Sequence, residues 1–531
     1  MSLNLMIVYA LGCAALYYVC PLRFRWLILL AASYGFYAYH GLTALPFILI
    51  TTLTTWAGAL HIARIGENGK AEIKAKKAEL TAEARKQMKA AVRSRQRRWF
   101  FGVLLLNFFI LGVLKYLEPT LGLFASIASV FTGGEAARPA LGLLLPLGIS
   151  FYTFSSMGYL IDVYNEKYAP EKSPLRFALY VSFFPQLIQG PIGRYDHLGG
   201  ELAKEHRFDI DGIERGLLLM LWGYFKKKVI ADRALPLVAA VFDHQEPYGG
   251  AVIMLAVLFY SLQQYCDFSG GIDLVAGIAE LFGVRLAPNF KRPYFAVSLG
   301  DFWRRWHISL GSWMRDYVFY PFALTKPVSR LSKASKNRFG TDFSRALPAA
   351  LGNVLVFFLV GIWHGAQMNY VLWGLYNGLI LAFSALMETR YKRFADAHEG
   401  LVKSRGFYFF RILRTFVIVN IGWYFDRAMR WQDAFAMLGK TFTGFNAAQL
   451  ADSALMAQLG LTARDYGVLA IATAILFFVS LAQERGAKVR EWIMSRPLVL
   501  RWILLYAFIL FVLATFVGNS AGTGSFMYAV F

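Results

Sequence analysis

Cysteine is scarce: the 531 residues include only Cys13, Cys20 and Cys266. Each lies in or beside an apolar run and none has metal-ligand spacing, so neither a disulfide framework nor a metal site is expected. Charge is also thin, with 17% Asp, Glu, Lys and Arg, too little for a soluble protein of this length. No G-x-x-x-x-G-K-S/T or G-x-G-x-x-G phosphate loop is present, which argues against nucleotide-driven work. There is no G-x-S-x-G nucleophile elbow either. The first apolar run, Leu3 to Cys20, has no basic stretch before it and no small-residue cleavage site after it, so a retained span is expected rather than a signal peptide.

Hydrophobic residues make up 57% of the chain and aromatics 16%, with mean hydropathy +0.45. These values describe an integral membrane protein. The net charge of +22 would suggest nucleic acid on a soluble domain, but here Lys and Arg concentrate between apolar runs, as they do in loops that fix membrane topology. Nucleic acid is therefore not an expected partner; the lipid bilayer is.

Three apolar runs precede residue 63: Leu3 to Cys20, Trp26 to Tyr39 and Leu42 to Ile62. Arg64 to Arg98 then carries twelve Lys and Arg against four Glu in an Ala-rich context, which predicts a solvated cytoplasmic helix or hairpin. Further basic clusters at Arg330 to Arg345, Arg390 to Arg405 and Arg485 to Arg496 are separated by apolar runs. The mixed-charge stretch Asp426 to Asp465 fits the outer face, and both termini are expected outside. The short central runs Phe177 to Ile192, Ala234 to Phe242 and Gly271 to Phe282, interrupted by Pro, Gly or charge, suggest re-entrant or broken helices lining a cavity. The expected fold class is an all-α integral membrane protein with about eleven spans. Its parts are N-terminal helices (1–62), a basic cytoplasmic segment (63–98), a core (99–425), an extracytoplasmic loop (426–466) and C-terminal helices (467–531).

Two of the eight histidines stand apart. His307 lies in Asp301-Phe302-Trp303-Arg304-Arg305-Trp306-His307, and His364 closes an apolar run as Trp363-His364-Gly365. An ionisable group at membrane depth is a functional-site candidate by default. His364 lies roughly 28 Å of helix beyond Arg345, at about 1.5 Å per residue. A continuous helix would put Trp303, His307, Leu310 and Met314 on one inward face. Imidazole suits proton transfer to and from a hydroxyl, but it also suits a plain hydrogen bond across a helix interface, and these residues alone do not name a reaction.

The pair DFWRRWHISLGSWMRDYVFYP (Asp301 to Pro321) and GIWHGA (Gly361 to Ala366) resembles the membrane-bound O-acyltransferase superfamily, in its bacterial alginate O-acetyltransferase-like branch. LPLGISFYTF (Leu145 to Phe154), DVY (Asp162 to Tyr164), FFPQLIQGPIGR (Phe183 to Arg194), GYFKKKVIAD (Gly223 to Asp232), DFSG (Asp267 to Gly270) and PNFKRPY (Pro288 to Tyr294) follow in that family's order. The resemblance implies spans and shorter re-entrant or interfacial helices around a central funnel or tunnel. It implies His364 as the main catalytic residue and His307 at the second active-site position. It also implies transfer of an acyl group, generally acetyl, from a cytosolic thioester such as acetyl-CoA, which is a substrate and not a bound cofactor. The acceptor is a hydroxyl on the outer side, commonly reached through an extracytoplasmic acetyltransferase partner protein and ending on a polysaccharide.

On that reading Asn353 or Asn369 would help position substrate or the oxyanion. Arg304, Arg305 and Lys226 to Lys228 would attract donor phosphates, unless they are topology anchors. Trp303, Trp306, Trp363, Asp267 and Tyr265 would line the cavity. The chain departs from the branch pattern at Phe322-Ala323, Gly271 and Asp426, so alginate itself is not assumed as acceptor. Two alternatives stand beside this one: D-alanyl transfer to teichoic acid from a carrier-protein thioester, and a non-enzymatic transporter, against which no inverted hydropathy repeat is visible.

Overall fold

The computed structural model describes residues 3–132 and 145–517, and among them every regular element is helical. The two chain ends, expected outside the membrane, fall on residues 1–2 and 518–531, beyond the described residues. The chain divides into two compact units, 1–216 with 278–287, and 217–277 with 288–531. Seven helices among the described residues are long and apolar enough to cross a bilayer. That is fewer than the eleven spans expected, because runs such as α1 (Leu3–Val19) and α2 (Arg25–His40) are 17 and 16 residues long, near the lower limit for spanning.

In the first unit, α3 (Leu45–Ala75) and α4 (Ala82–Thr132) form an antiparallel hairpin that carries the basic stretch 64–98. α5 (Ile149–Tyr164) is the core of this unit: every residue from Ile149 to Leu160 is buried. Its polar backbone is satisfied across the packing, as where the Tyr180 hydroxyl donates to Ser155 O at 3.1 Å and to Gly193 O at 2.9 Å. The stretch predicted to be broken between Phe177 and Ile192 is two short helices, Pro174–Ser182 and Phe184–Gln189.

The second unit begins within α6 (Ile210–Tyr224), which widens into a π-type turn at Phe225–Ala231 before α7 (Asp232–Asp243). Next comes α8 (Gly250–Leu281), an unbroken 32-residue helix that runs on into the first unit. The predicted break at Gly271 is therefore absent. Gly270 serves packing instead: α6 crosses α8 so closely that a Cβ on Gly223 would overlap the Gly270 carbonyl.

Two short helices follow, α9 (Leu299–Arg305) and α10 (Ile308–Met314), then α11 (Lys326–His364) and α12 (Met368–Leu386). α11 bends at Gly340, whose φ of 85° only glycine adopts cheaply. The bend separates a basic amphipathic half from the apolar half ending at His364. The long helices that follow, among shorter ones, are α13 (Arg405–Arg427), α14 (Ala463–Glu484) and α15 (Leu498–Thr515). In the most apolar stretch of α8, 67% of residues are buried, against 6% in α15. An apolar helix left so bare needs lipid as its solvent, and the protein is a multi-pass membrane protein.

α11 and α12 pack backbone to backbone. A Cβ at Gly374 would overlap the Phe357 carbonyl, and one at Gly361 the Tyr370 carbonyl. Small residues permit this approach, on which dispersion contact between membrane helices depends. Gly374→Val is expected to lower the melting temperature in detergent through overpacking of about 1–3 kcal/mol. Gly467→Ala on α14, where a Cβ meets nothing within 4 Å, should leave it unchanged. Equal behaviour of the two would contradict the close crossing.

Candidate active site

The two histidines wall one cavity of about 580 Å³ in the second unit. α11 contributes Asn353, Val356, Phe357, Val360 and His364, spaced by three and four residues so that they share one helical face. His364 is the last residue of α11, 6% exposed. Its ring lies 5.0 Å, centroid to centroid, edge-on to Trp373 and 6.0 Å, nearly parallel, from Tyr370.

His307 reaches the cavity by a different route from the one expected. The helix does not continue through it: α9 stops at Arg305, Trp306 is extended, and His307 has φ 47° and ψ 53°. This left-handed residue resets the backbone between two seven-residue helices, so Trp303 on α9, His307 between the helices, and Leu310 and Met314 on α10 all line the cavity without one continuous helix. A neighbouring strand-like segment enforces the conformation. Asn289 O accepts the Ile308 N–H at 3.0 Å, Asn289 Oδ1 accepts the Ser309 N–H at 2.9 Å, and the same amide lies 3.3 Å from His307 Nδ1. Lys291 N donates to Arg305 O at 2.9 Å. Phe268 packs edge-on to the imidazole at 4.9 Å.

Burial pushes the His307 imidazole from 6.5 down to about 3, so the ring is neutral at physiological pH. The unfolded chain takes up a proton near pH 6.5 that the folded chain refuses. Stability is thus intact above that pH and falls by up to about 1.4 kcal/mol per pH unit as the pH drops toward 3. Thermal unfolding between pH 7 and 5 should be steeper in pH for the wild type than for His307→Gln. Equal slopes would mean the imidazole is already charged in the fold.

The predicted site residues divide. Trp303, Arg304, Trp306 and Asn353 line the cavity with both histidines. The Trp303 indole donates to Asn377 Oδ1 at 3.2 Å, and Trp306 stacks on Phe302 at 5.5 Å. Arg304, with its side chain 73% exposed, pairs with Asp301 at 3.5 Å, and Arg315, also on the wall, pairs with Asp316 at 2.9 Å. Asn353 lies three helical turns before His364, about 16 Å along the axis, too far to serve the same reacting atom.

Five others are placed elsewhere. Trp363 packs against both histidine rings, 6.1 Å from His307 and 5.1 Å from His364, but is not on the cavity wall. Arg305 turns away to pair with Asp301 at 3.1 Å and Glu484 at 2.9 Å. Asn369 donates to Phe425 O and Ala428 O, both at 3.1 Å, tying α12 to the end of α13. Tyr265 lies behind Trp306 and faces a separate apolar cleft. Asp267 faces away from the cavity and pairs with Lys227.

The three lysines are correspondingly unavailable to a donor. Lys226 is held by Asp273 at 2.6 Å and Ser269 at 2.9 Å, Lys227 by Asp232 at 2.9 Å and by Asp267, and Lys228 by Asp232 at 2.8 Å. All three are buried, as charges are when paired.

Residue-by-residue reading missed Asn289, although it sits in the PNFKRPY motif. It also missed Gln264, a wall residue whose amide donates to Asp426 Oδ2 at 2.9 Å, where the Tyr260 hydroxyl also donates at 2.6 Å. Asp426 is thus a buried acceptor within α13, not the start of a solvated loop.

A family model described as MBOAT, the membrane-bound O-acyltransferase family, matches residues 165–425, a range containing both histidines and the whole cavity wall. The chain is 32% identical over 472 residues to the probable alginate O-acetylase AlgI of Pseudomonas aeruginosa, covering 88% of this chain and 78% of that protein. It is 29% identical over 451 residues to the peptidoglycan O-acetyltransferase of Helicobacter pylori, covering 80% and 74%. It is 29% identical over 296 residues to the teichoic acid D-alanyltransferase of Bacillus subtilis, covering 54% and 70%. With its helical membrane fold, its paired Trp-His motifs on one cavity and this likeness along most of its length, the chain belongs to the membrane-bound O-acyltransferase family, in the branch of the bacterial alginate O-acetylases.

Proposed function

We propose that this O-acyltransferase moves an acetyl group from a cytosolic thioester such as acetyl-CoA, across the bacterial inner membrane, to a hydroxyl on the outer side. The group then passes through an extracytoplasmic partner protein to a polysaccharide. The observation that carries the reading is the shared cavity: His307 and His364 wall one space, together with Arg304 and Arg315. The basic segments between spans support an orientation with that stretch of charge in the cytosol and both termini outside.

In the proposed reaction, His364 takes the proton of the acceptor hydroxyl as its oxygen attacks the thioester carbonyl. The oxyanion that forms accepts a hydrogen bond from a ring N–H of neutral His307, a donor held in place by Asn289. When the intermediate collapses, the carbon–sulfur bond breaks, and the proton held by His364 goes to the departing thiolate. The product is an ester and a free thiol. Trp303, Trp306, Trp373 and Trp423 make the walls apolar, which strengthens these interactions by excluding water.

The donor is tested with purified protein in proteoliposomes. Labelled acetyl-CoA should yield labelled ester on a polysaccharide or partner-protein hydroxyl, and a D-alanyl carrier-protein thioester should not. Transfer from the carrier protein alone would favour the teichoic-acid reading, which the 29% identity to a D-alanyltransferase keeps in view.

A further inference from the structure

The hairpin of α3 and α4 has a feature that the acyl-transfer reading does not use. Where the helices leave their apolar stretches they pack tightly, since a Cβ on Gly66 would meet the Gln96 amide and one on Gly69 the Val92 methyls. Beyond this contact they enclose a groove of about 640 Å³, closed on one side by Asn165 and Glu166. Lys70 and Lys74 line it from α3, Lys77 from the turn that follows, and Arg85, Lys89 and Arg93 from α4. Among the described residues, Glu166 is the only carboxylate on its wall.

This sorting is not what a merely solvated loop requires. Lys70 and Lys74 fall at i and i+4 on α3 and the α4 cations at i, i+4 and i+8, so each set occupies one face. Like charges at such spacing repel. The hairpin's own acids, Glu67, Glu72, Glu79 and Glu83, are off the groove, and Glu72 pairs with Lys76 at 2.9 Å. Two cations are fixed in advance. Lys70 pairs with Glu166 at 2.6 Å, while Arg93 donates to Tyr164 O at 2.7 Å with its guanidinium 3.7 Å over the Tyr164 ring. Lys74, Lys77 and Lys89 form no ion pair among the described residues, and the shielded Arg85 Nε has no hydrogen-bond partner there.

We propose that this groove binds a soluble molecule carrying two or more phosphates, such as a nucleoside polyphosphate. Several cations in line along a groove match several anionic groups in line. The groove reaches too far from the membrane for a lipid headgroup to fill it: Lys74 stands about 16 Å of helix rise beyond the last apolar turn at Ala63, and Lys77 lies past the end of the helix. The proposal is independent of the acyl-transfer chemistry, and its test does not measure that chemistry.

The test uses the full chain in nanodiscs of zwitterionic lipid, titrated calorimetrically with ADP and with inorganic tripolyphosphate. Saturable, salt-sensitive binding is expected. Lys74→Gln/Lys89→Gln should weaken it about tenfold or more, whereas Lys76→Gln/Lys86→Gln, which removes equal charge outside the groove, should not. Unchanged melting temperatures would show both variants folded. Absence of saturable binding, or equal weakening by the two double variants, would overturn the site. Binding confined to the headgroups of discs containing phosphatidylglycerol, and lost in Lys74→Gln/Lys89→Gln, would overturn the soluble assignment in favour of an anionic lipid.

Discussion

His364→Ala is expected to abolish polymer acetylation in cells while leaving the protein in the membrane at normal abundance. Removal of a positioned general base costs about 10²–10⁴-fold, and no neighbour is placed to substitute. Tyr370 and Trp373 are the rings against His364, and neither a phenol nor an indole is a base at neutral pH. His307 is neutral but clamped by Asn289. The alanine variant should fold, since His364 ends a helix and its loss leaves the glycine-mediated crossing of α11 and α12 intact. His307→Ala should cost less than His364→Ala, as loss of an oxyanion donor costs about 10²–10³-fold. Asn289→Ala should act in the same direction as His307→Ala, because it frees the left-handed residue that aims the imidazole. Wild-type acetylation by His364→Ala would reject the catalytic assignment.

Asp267→Ala is expected to fail differently, by loss of folded protein. Lys227 would be left to Asp232, which already serves Lys228, and all three side chains are at most 5% exposed. Removing one partner of a buried ion pair strands the other charge at a cost of about 3–5 kcal/mol, a large part of the stability of most domains. Replacing both partners with apolar residues, as in Lys227→Met/Asp267→Leu, should recover much of the loss. The measurement is the yield and melting temperature of detergent-extracted protein. A normally folded Asp267→Ala that had lost only turnover would return Asp267 to the active site.

The contrast between these variants marks how far the sequence could be read. Both histidines, the helical membrane class and the family were legible, because Trp-His pairs within apolar runs are unusual and hydropathy follows directly from composition. The backbone at His307 was not: a positive φ at a histidine leaves no mark in a single sequence, and a continuous helix was the natural reading of Trp303 to Met314. Lys226 to Lys228 looked like a phosphate-attracting cluster because sequence shows charge without its partners. Asp232, Asp267 and Asp273, which neutralise them, come from α7 and the facing helix α8. Asp267 and Tyr265 are two residues apart on one helix, about 200° around it, and both turn from the cavity that Gln264 reaches. The count of about eleven spans is not confirmed, because helices of 16 or 17 residues sit at the border between spanning and shorter elements.

The most direct test of a cavity in which His364 passes an acyl group from a thioester to a hydroxyl is vectorial transfer in oriented proteoliposomes. Labelled thioester would be supplied on the face of the basic hairpin and a hydroxyl acceptor on the other. Label should accumulate as ester on the far side with wild-type protein and not with folded His364→Ala. Equal accumulation with both proteins, or ester formed only when donor and acceptor share a compartment, would contradict it.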